Sequence, residues 1–154
     1  MSEYTACIKW DRGEQNFQDN TYSRAHTWNF DGGLSVPASS SPHVVPVPMS
    51  VEYNVDPEEA FIAALSSCHM LFFLSISAAR GFTVDSYVDH AWGVMEKDKQ
   101  GIVSVTRVEL HPRHDFSGES PAATIIHEMH EQAHAKCFIA NSVKSDISII
   151  LGED

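Results

Sequence analysis

A run of nineteen residues without a charged side chain constrains the fold more than any other feature of this sequence. Residues 61–79, FIAALSSCHMLFFLSISAA, contain no Asp, Glu, Lys or Arg, which is also the composition of a transmembrane helix. The run nevertheless contains four Ser, one Cys and one His, and it lies between DPEE and Arg80. We therefore predict a helix that is apolar on all sides and buried at the centre of a soluble assembly. A chain of 154 residues has difficulty covering such a helix alone, so the run also indicates a dimer.

Local signals place this helix within an α+β chain. Asp56 as N-cap, Pro57 at the first helical position and two acidic residues predict its start, and Arg80-Gly81 predicts its end near Ala79. Before this helix we predict strands over 4–10, 25–30 and from Leu34, a hairpin turn at 31–33 and a surface loop over the Pro-rich 37–48. After it we predict two long strands, over 83–96 and 102–116, joined by a turn at 97–101. A second helix, with Ser120 as N-cap and Pro121 at its first position, runs to about Lys136 and is followed by a turn at 137–142 and a last strand over 147–151. The order β-β-β-α-β-β-α-β predicts one α+β domain over residues 1–154 with mostly antiparallel pairing.

Charge and cysteine content narrow the class of function. The formal net charge of -11 argues against binding of nucleic acids or anionic membranes, because both require clustered Lys and Arg. The first residues show no basic segment ahead of an apolar one, so we expect a cytoplasmic protein. Three Cys residues are too few for a secreted disulfide framework, and in a reducing compartment they are reactive thiols, metal ligands or core residues.

Cys68 and Cys137 are the candidates for thiol chemistry. Cys68 lies in the middle of the apolar helix, where a Cys can also be a simple small hydrophobe. A reactive Cys at this position requires the thiolate and therefore a cation nearby, and a sulfenic acid formed there would condense with a second thiol. Cys137 is the natural second thiol, because it begins a short turn after the second helix and a helix N-terminus lowers a thiol pKa. Cys7, on the first strand, is interpreted as structural.

Three segments, residues 56–61, 63–70 and 133–142, resemble the OsmC/Ohr family of osmotically inducible and organic-hydroperoxide-resistance peroxidases. The resemblance implies an intertwined homodimer in which antiparallel sheets wrap around central helices. It also implies that Cys68 is the peroxidatic residue and that Cys137 resolves it as a disulfide. Organic hydroperoxides are the implied substrates, and hydrogen peroxide is an additional candidate. No cofactor is implied, and the reductant would be a dithiol, either a lipoylated protein or thioredoxin. Phe138 replaces the Pro of Ohr proteins, so the chain is closer to an OsmC-like branch.

The resemblance assigns two further residues to the site. The family's helix-start Glu falls on Glu58 and its N-terminal Arg on Arg24. A guanidinium can hold Cys68 as thiolate and bind the peroxide oxygen, and Glu58 can orient Arg24 through a bidentate pair. The alternatives are a surface Arg and an acid that only complements the helix dipole. Ten residues of continuous helix span about 15 Å, so Glu58 either precedes a helix break or serves the other subunit's Cys68; we expect the second.

Two other functions stay open. His127, His130 and His134 have the i, i+3, i+7 spacing of one helix face and could bind zinc or another divalent metal, although no CxxC or HExxH pattern accompanies them. Met70, Phe72, Phe73 and Phe138 near the thiols would alternatively suit a non-enzymatic protein that binds a hydrophobic ligand, although core packing is the more frequent use of such residues.

Overall fold

The structure, a computed structural model, describes residues 1–152. The chain forms two compact units, Met1–Ala60 and the part that begins at Phe61, which are taken one at a time. The elements are β1 (Ala6–Lys9), β2 (His26–Phe30), β3 (Ser35–Ala38), α1 (Pro57–Ala79), β4 (Val84–Asp89), β5 (Trp92–Lys97), β6 (Val103–Leu110), β7 (Pro112–Phe116), α2 (Ala123–Lys136), a 3₁₀ turn (Ala140–Ser142) and β8 (Asp146–Ile149). The predicted α+β class and the order of its elements are confirmed, with each long strand divided in two. The single domain stays a prediction.

The first unit is built on the antiparallel sheet β1-β2-β3. Trp28 of β2 lies opposite Ile8 on one side and Val36 on the other. The predicted hairpin turn joins β2 to β3, and the Gly33 N–H donates to the carbonyl of Phe30 at 3.0 Å. Gly33 adopts φ +88, a backbone conformation that glycine reaches without steric cost.

Only the start of the predicted surface loop, residues 37–39, differs from the prediction. Pro37 and Ala38 belong to β3, and Ala38 and Ser39 are fully buried. The chain returns beside them at Val55, whose N–H donates to the carbonyl of Pro37 at 3.2 Å and whose carbonyl accepts from the N–H of Ser39 at 3.0 Å. The composition of the segment could not show this pairing, because the partner lies sixteen or more residues further along the chain.

Helix α1 begins and ends where its sequence signals predict. Asp56 Oδ1 accepts the Glu59 N–H at 2.8 Å and Glu59 Oε2 accepts the Asp56 N–H at 3.3 Å, which is a capping box. At the other end Phe82 donates to the carbonyl of Ser77 at 3.0 Å, and Gly81 has φ +83. This is the Schellman arrangement, in which a glycine just past the helix satisfies its last carbonyls.

Only part of the apolar surface of α1 is covered. Among the described residues α1 is the one helix long and apolar enough to cross a membrane, by length and composition only, and 28% of its most apolar window is buried. Two of its five buried residues, His69 and Ser77, are polar. Another face carries Leu71, which is 60% exposed. The buried helix of the sequence prediction is therefore realised on one face, and the dimer that would cover the other stays a prediction.

The second unit contains two separate sheets. β4 pairs with β7 antiparallel, whereas β6 lies between β5, antiparallel, and β8, parallel. The long strand predicted over 102–116 is divided at His111, whose N–H donates to Asp89 Oδ1 at 2.6 Å. The next residue, Pro112, has no N–H to continue a ladder, so the chain leaves one sheet and enters the other.

Helix α2 begins later than predicted. Its N-cap is Ala122, without a side-chain hydrogen bond, so the assignment of Ser120 as N-cap and Pro121 as first helical residue is wrong. Pro121 is buried ahead of the helix, and the carbonyl of Ala122 accepts the first helical N–H groups, from Ile125 at 2.9 Å and Ile126 at 3.1 Å. The core of this unit comprises two clusters, one of Phe73, Ile76, Met129 and Ala133 and one of Leu65, Val108 and Leu110.

Candidate active site

Cys68 lies in the wall of an apolar pocket on α1. The pocket has a volume of about 470 Å³ and is lined by Ala64, Ser67, Cys68, Leu71, Phe72, Ser75, Phe138 and Ile139. Six of these residues come from α1 at spacings of three and four, which places them on one helix face. The other two follow Cys137 directly. We call this the Cys68 pocket; it is large enough for a small organic molecule.

Cys137 is buried beside this pocket. It follows the last residue of α2, is 1% exposed, and its sulfur accepts the Ala140 N–H at 3.4 Å. The pKa of Cys137 is raised to about 11, first by burial and second by the neighbouring Cys68 side chain, while the Ala140 N–H opposes both. The expectation that a helix start would lower this pKa is therefore wrong, because burial outweighs the few N–H groups of a short turn.

The structure brings the two cysteines together. Both are free thiols, and the Cys68 side chain is close enough to raise the pKa of Cys137. The rings of Phe72 and Phe138, which lie four residues after Cys68 and one after Cys137, are in edge contact with centroids 5.0 Å apart. This contact holds the turn after α2 against the face of α1 that carries Cys68.

Arg24 and Glu58 line a different pocket, in the first unit. This pocket, of about 450 Å³, is lined by Trp10, Phe17, Tyr22, Arg24, His26, Ser39, Ser40, Pro57 and Glu58. The guanidinium of Arg24 lies 3.8 Å from the ring centroid of Tyr22 and donates to the carbonyl of Asn20 at 2.9 Å and to Asn20 Oδ1 at 2.6 Å. Glu58 Oε2 is buried and has no hydrogen-bond partner among the described residues.

The bidentate pair expected between Arg24 and Glu58 is not formed within residues 1–152. Asn20 and the carbonyl of Tyr22 occupy the guanidinium instead. Asn20 can offer both its side chain and its carbonyl because it adopts φ 62, a left-handed conformation that Asn tolerates better than most residues. Arg24 and Glu58 therefore line the same pocket without forming an ion pair.

A chain of three histidines in the second unit was missed by the sequence analysis. His69 Nε2 lies 2.9 Å from His130 Nδ1, and His130 Nε2 lies 3.2 Å from His114 Nε2. Phe73 stacks on the ring of His130 with centroids 4.1 Å apart. The three imidazoles come from α1, α2 and β7, so no local spacing relates them; the position of His69 next to Cys68 was the only available signal.

Burial keeps the imidazoles of His69 and His130 neutral. It lowers the pKa of His69 to about 4, with the charge of His134 adding to the effect and that of Asp89 opposing it. It lowers the pKa of His130 to about 3, helped by neighbouring histidines. Both rings are almost fully buried. The remaining nitrogen of His69, Nδ1, is buried without a hydrogen-bond partner among the described residues.

The histidines of α2 do not converge as a metal site would require. His127 points to Glu131, at 3.2 Å, with most of its side chain exposed, whereas His130 lies in the core between His69 and His114. Within residues 1–152 no group of three or more His, Cys, Asp or Glu side chains is arranged to hold a metal ion.

The chain is similar to several proteins of known fold. The family model for OsmC-like protein matches residues 51–152. An OsmC-like protein of unknown function from Vibrio cholerae is 55% identical, with a TM-score of 0.97, over 99% of this chain and 100% of that one. The organic hydroperoxide resistance protein OhrB of Bacillus subtilis is 15% identical, with a TM-score of 0.70, over 98% of each chain.

A third structure, an organic hydroperoxide resistance protein from Elizabethkingia anophelis, is 17% identical, with a TM-score of 0.68, over 97% of this chain and 95% of that one. The comparison with curated proteins gave no match. The similarity to the two hydroperoxide resistance proteins shows the fold only. The assignment to a family follows from the family model and from the Vibrio cholerae protein. The chain belongs to the OsmC-like family.

Proposed function

We propose that this protein is a thiol-dependent peroxidase that reduces organic hydroperoxides, and hydrogen peroxide as a smaller substrate, in defence against oxidative stress. The observation that carries the proposal is the proximity of Cys137 to Cys68 at the wall of an apolar pocket. A sulfenic acid needs a second thiol within reach, and a hydroperoxide with an alkyl or aryl group needs an apolar surface. The Cys68 pocket offers both.

The reaction uses the two cysteines in turn. The Cys68 thiolate attacks the terminal oxygen of the hydroperoxide, which leaves Cys68 as sulfenic acid and releases an alkoxide. The sulfur of Cys137 then attacks the Cys68 sulfur, a disulfide forms and hydroxide leaves. The disulfide is reopened by a dithiol, for which a lipoylated protein and thioredoxin are the candidates, and the protein's place is the cytoplasm.

Arg24 and Glu58 are assigned to the same reaction in a homodimer. Helix α1 is uninterrupted from Pro57 to Ala79, which removes the alternative of a helix break between Glu58 and Cys68. We therefore assign Glu58, together with Arg24, to the Cys68 of the other subunit. The buried, unpartnered Oε2 of Glu58 supports this assignment, because such an atom is costly unless a donor reaches it. A monomeric species with full peroxidase activity would contradict it.

Relatives support the substrate class. The structures from Bacillus subtilis and Elizabethkingia anophelis bear the name organic hydroperoxide resistance protein. In this chain Leu71, Phe72, Phe138 and Ile139 supply the apolar lining next to Cys68. Phe73, in contrast, is fully buried in the core and is not available to a substrate.

The test is consumption of cumene hydroperoxide by the protein with a dithiol reductant. Cys68→Ser should abolish turnover, while Cys7→Ser, which changes an exposed thiol on β1, should leave it intact. Titration of free thiols after one equivalent of hydroperoxide should show the loss of two thiols, and only one in Cys137→Ser. If Cys68→Ser consumes hydroperoxide as fast as the parent protein, the protein is not this peroxidase, and a binding role for the Cys68 pocket becomes the better explanation.

A further inference from the structure

We propose that Cys137 is also the acid of the first step: its S–H gives its proton to the alkoxide that leaves when Cys68 cleaves the peroxide bond. This role rests on the proposed peroxidase function and adds to the resolving role of Cys137. It makes Cys137 a catalytic residue in both halves of the reaction.

The need for an acid follows from the leaving group. Attack of the Cys68 thiolate on ROOH forms Cys68–SOH and RO⁻. An alkoxide is about as basic as hydroxide, since water has a pKa of about 15.7, and its departure is slow unless a proton reaches it. The donor must lie next to the Cys68 sulfur, because the leaving oxygen is one O–O bond away from the oxygen under attack.

The residues around Cys68 offer few donors. Of the residues that line the Cys68 pocket only Ser67 and Ser75 carry hydroxyl groups, and a hydroxyl is a far weaker acid than a thiol. His69 follows Cys68 on α1, but consecutive helical side chains do not face each other, and its Nε2 is bonded to His130 at 2.9 Å. A guanidinium at Arg24 can stabilise an anion but does not give up a proton.

Cys137 meets the requirements of an acid at this position. Its side chain lies close enough to Cys68 to feel it, the two residues after it line the Cys68 pocket, and it is 1% exposed, so it is held as a thiol near the reacting sulfur. A pKa of about 11 keeps it protonated at neutral pH yet leaves it more acidic than the alcohol product. The Ala140 N–H, 3.4 Å from the sulfur, stabilises the thiolate that remains after the transfer.

One proton transfer thereby completes the first step and prepares the second. RO⁻ and the Cys137 thiol become ROH and the Cys137 thiolate. The thiolate attacks the sulfur of Cys68–SOH, the disulfide forms and hydroxide leaves, so atoms and charge balance. Since Cys137 becomes a nucleophile only when an alkoxide has been released, the two steps occur in a fixed order.

The experiment varies the basicity of the leaving group. In a single turnover, formation of Cys68 sulfenic acid or disulfide is measured by quenching with dimedone or an alkylating agent and mass spectrometry. tert-Butyl hydroperoxide releases an alkoxide, whereas peracetic acid releases a carboxylate, whose conjugate acid has a pKa of about 4 and needs no donor. Cys137→Ala should slow oxidation by tert-butyl hydroperoxide about 10²-fold, the lower bound for loss of a general acid, and oxidation by peracetic acid less than about 3-fold.

Matched variants separate this role from others. Cys137→Ser keeps an O–H at the same place but cannot form the disulfide, so its rate with tert-butyl hydroperoxide should lie between those of the parent and Cys137→Ala. Cys7→Ser should match the parent with both oxidants. Equal slowing of Cys137→Ala with both oxidants would show a structural role and overturn the proposal, as would no slowing with either. If neither oxidant reacts with Cys68 in the parent protein, the proposed peroxidase function itself fails.

Discussion

Acidification tests the buried histidine chain most directly. His69 and His130 are almost fully buried, and burial, as the largest cause, lowers the pKa of His69 to about 4 and that of His130 to about 3. The groups that act on them are His134 and Asp89 for His69, and His69, His114 and His127 for His130. In the unfolded chain both imidazoles return to a pKa of about 6.5.

The sign follows from the protons that each state binds. Since the folded-state pKa values lie below the unfolded one, the unfolded chain takes up protons first, and stability that is complete above pH 6.5 is lost as the pH falls toward 4 and 3. At pH 5.0 each imidazole is almost fully protonated only in the unfolded chain. From pH 7.5 to 5.0 each therefore removes about 2 kcal/mol, and the pair about 4 kcal/mol, from the free energy of unfolding. Near pH 5 the free energy of unfolding should fall by up to about 2.7 kcal/mol for each pH unit of acidification.

The assay is urea unfolding followed by circular dichroism at pH 7.5, 6.0 and 5.0, at one protein concentration because an oligomer would otherwise shift the midpoint. His130→Phe keeps a ring that can stack on Phe73 but removes one titrating group, so the slope should fall by about half. His90→Gln, at an exposed position, is the control and should keep the parent slope. A free energy of unfolding that is the same at pH 6.0 and 5.0 in the parent protein would refute the reasoning.

Three further predictions concern single residues. At pH 8 Cys137 should be alkylated about 100-fold more slowly in the folded protein than in urea, as timed mass spectrometry can measure. The reason is its smaller thiolate fraction, because its pKa is about 11 in the folded protein rather than 9.0. Gly93→Ala should lower the free energy of unfolding in urea by about 1–3 kcal/mol, because the new Cβ would lie 2.8 Å from Ile62 Cδ1. The control is Gly32→Ala, whose Cβ would enter open space and should change the free energy of unfolding by under about 0.5 kcal/mol. Asp56→Ala should lower the thermal midpoint through loss of a cap worth about 1 kcal/mol.

The parts of the fold that sequence predicted are those fixed by near neighbours. The capping box of Asp56 and Glu59 and the glycine at 81 involve residues within a few positions of each other, so the bounds of α1 could be deduced without the fold. The break in the strand at His111 could not, because its partner Asp89 lies twenty-two positions away. The same holds for Pro37 and Ser39, which hydrogen-bond to Val55 sixteen or more positions further along the chain.

The same distinction, between partners near in sequence and partners far apart, applies to the candidate site. Motifs singled out Cys68 and Cys137, and the fold brings their side chains close together. The grouping of His127, His130 and His134 as ligands was a local argument from helix spacing. It could not show that His130 would bond to His69 and His114, which come from other elements, while His127 pairs with Glu131 at the surface.

The direction of the pKa shifts in the second unit bears on where the charge for catalysis must come from. Burial is the largest cause for Cys137, His69, His130 and Tyr87, and it moves each toward its neutral form: the thiol and phenol have raised pKa values, and the imidazoles lowered ones. Neutral groups can relay or donate a proton, which suits the acid role proposed for Cys137, but they stabilise a thiolate poorly. A permanent charge is needed for that, and a guanidinium keeps its proton even when buried. The role proposed for Arg24 would supply such a charge to the thiolate of Cys68.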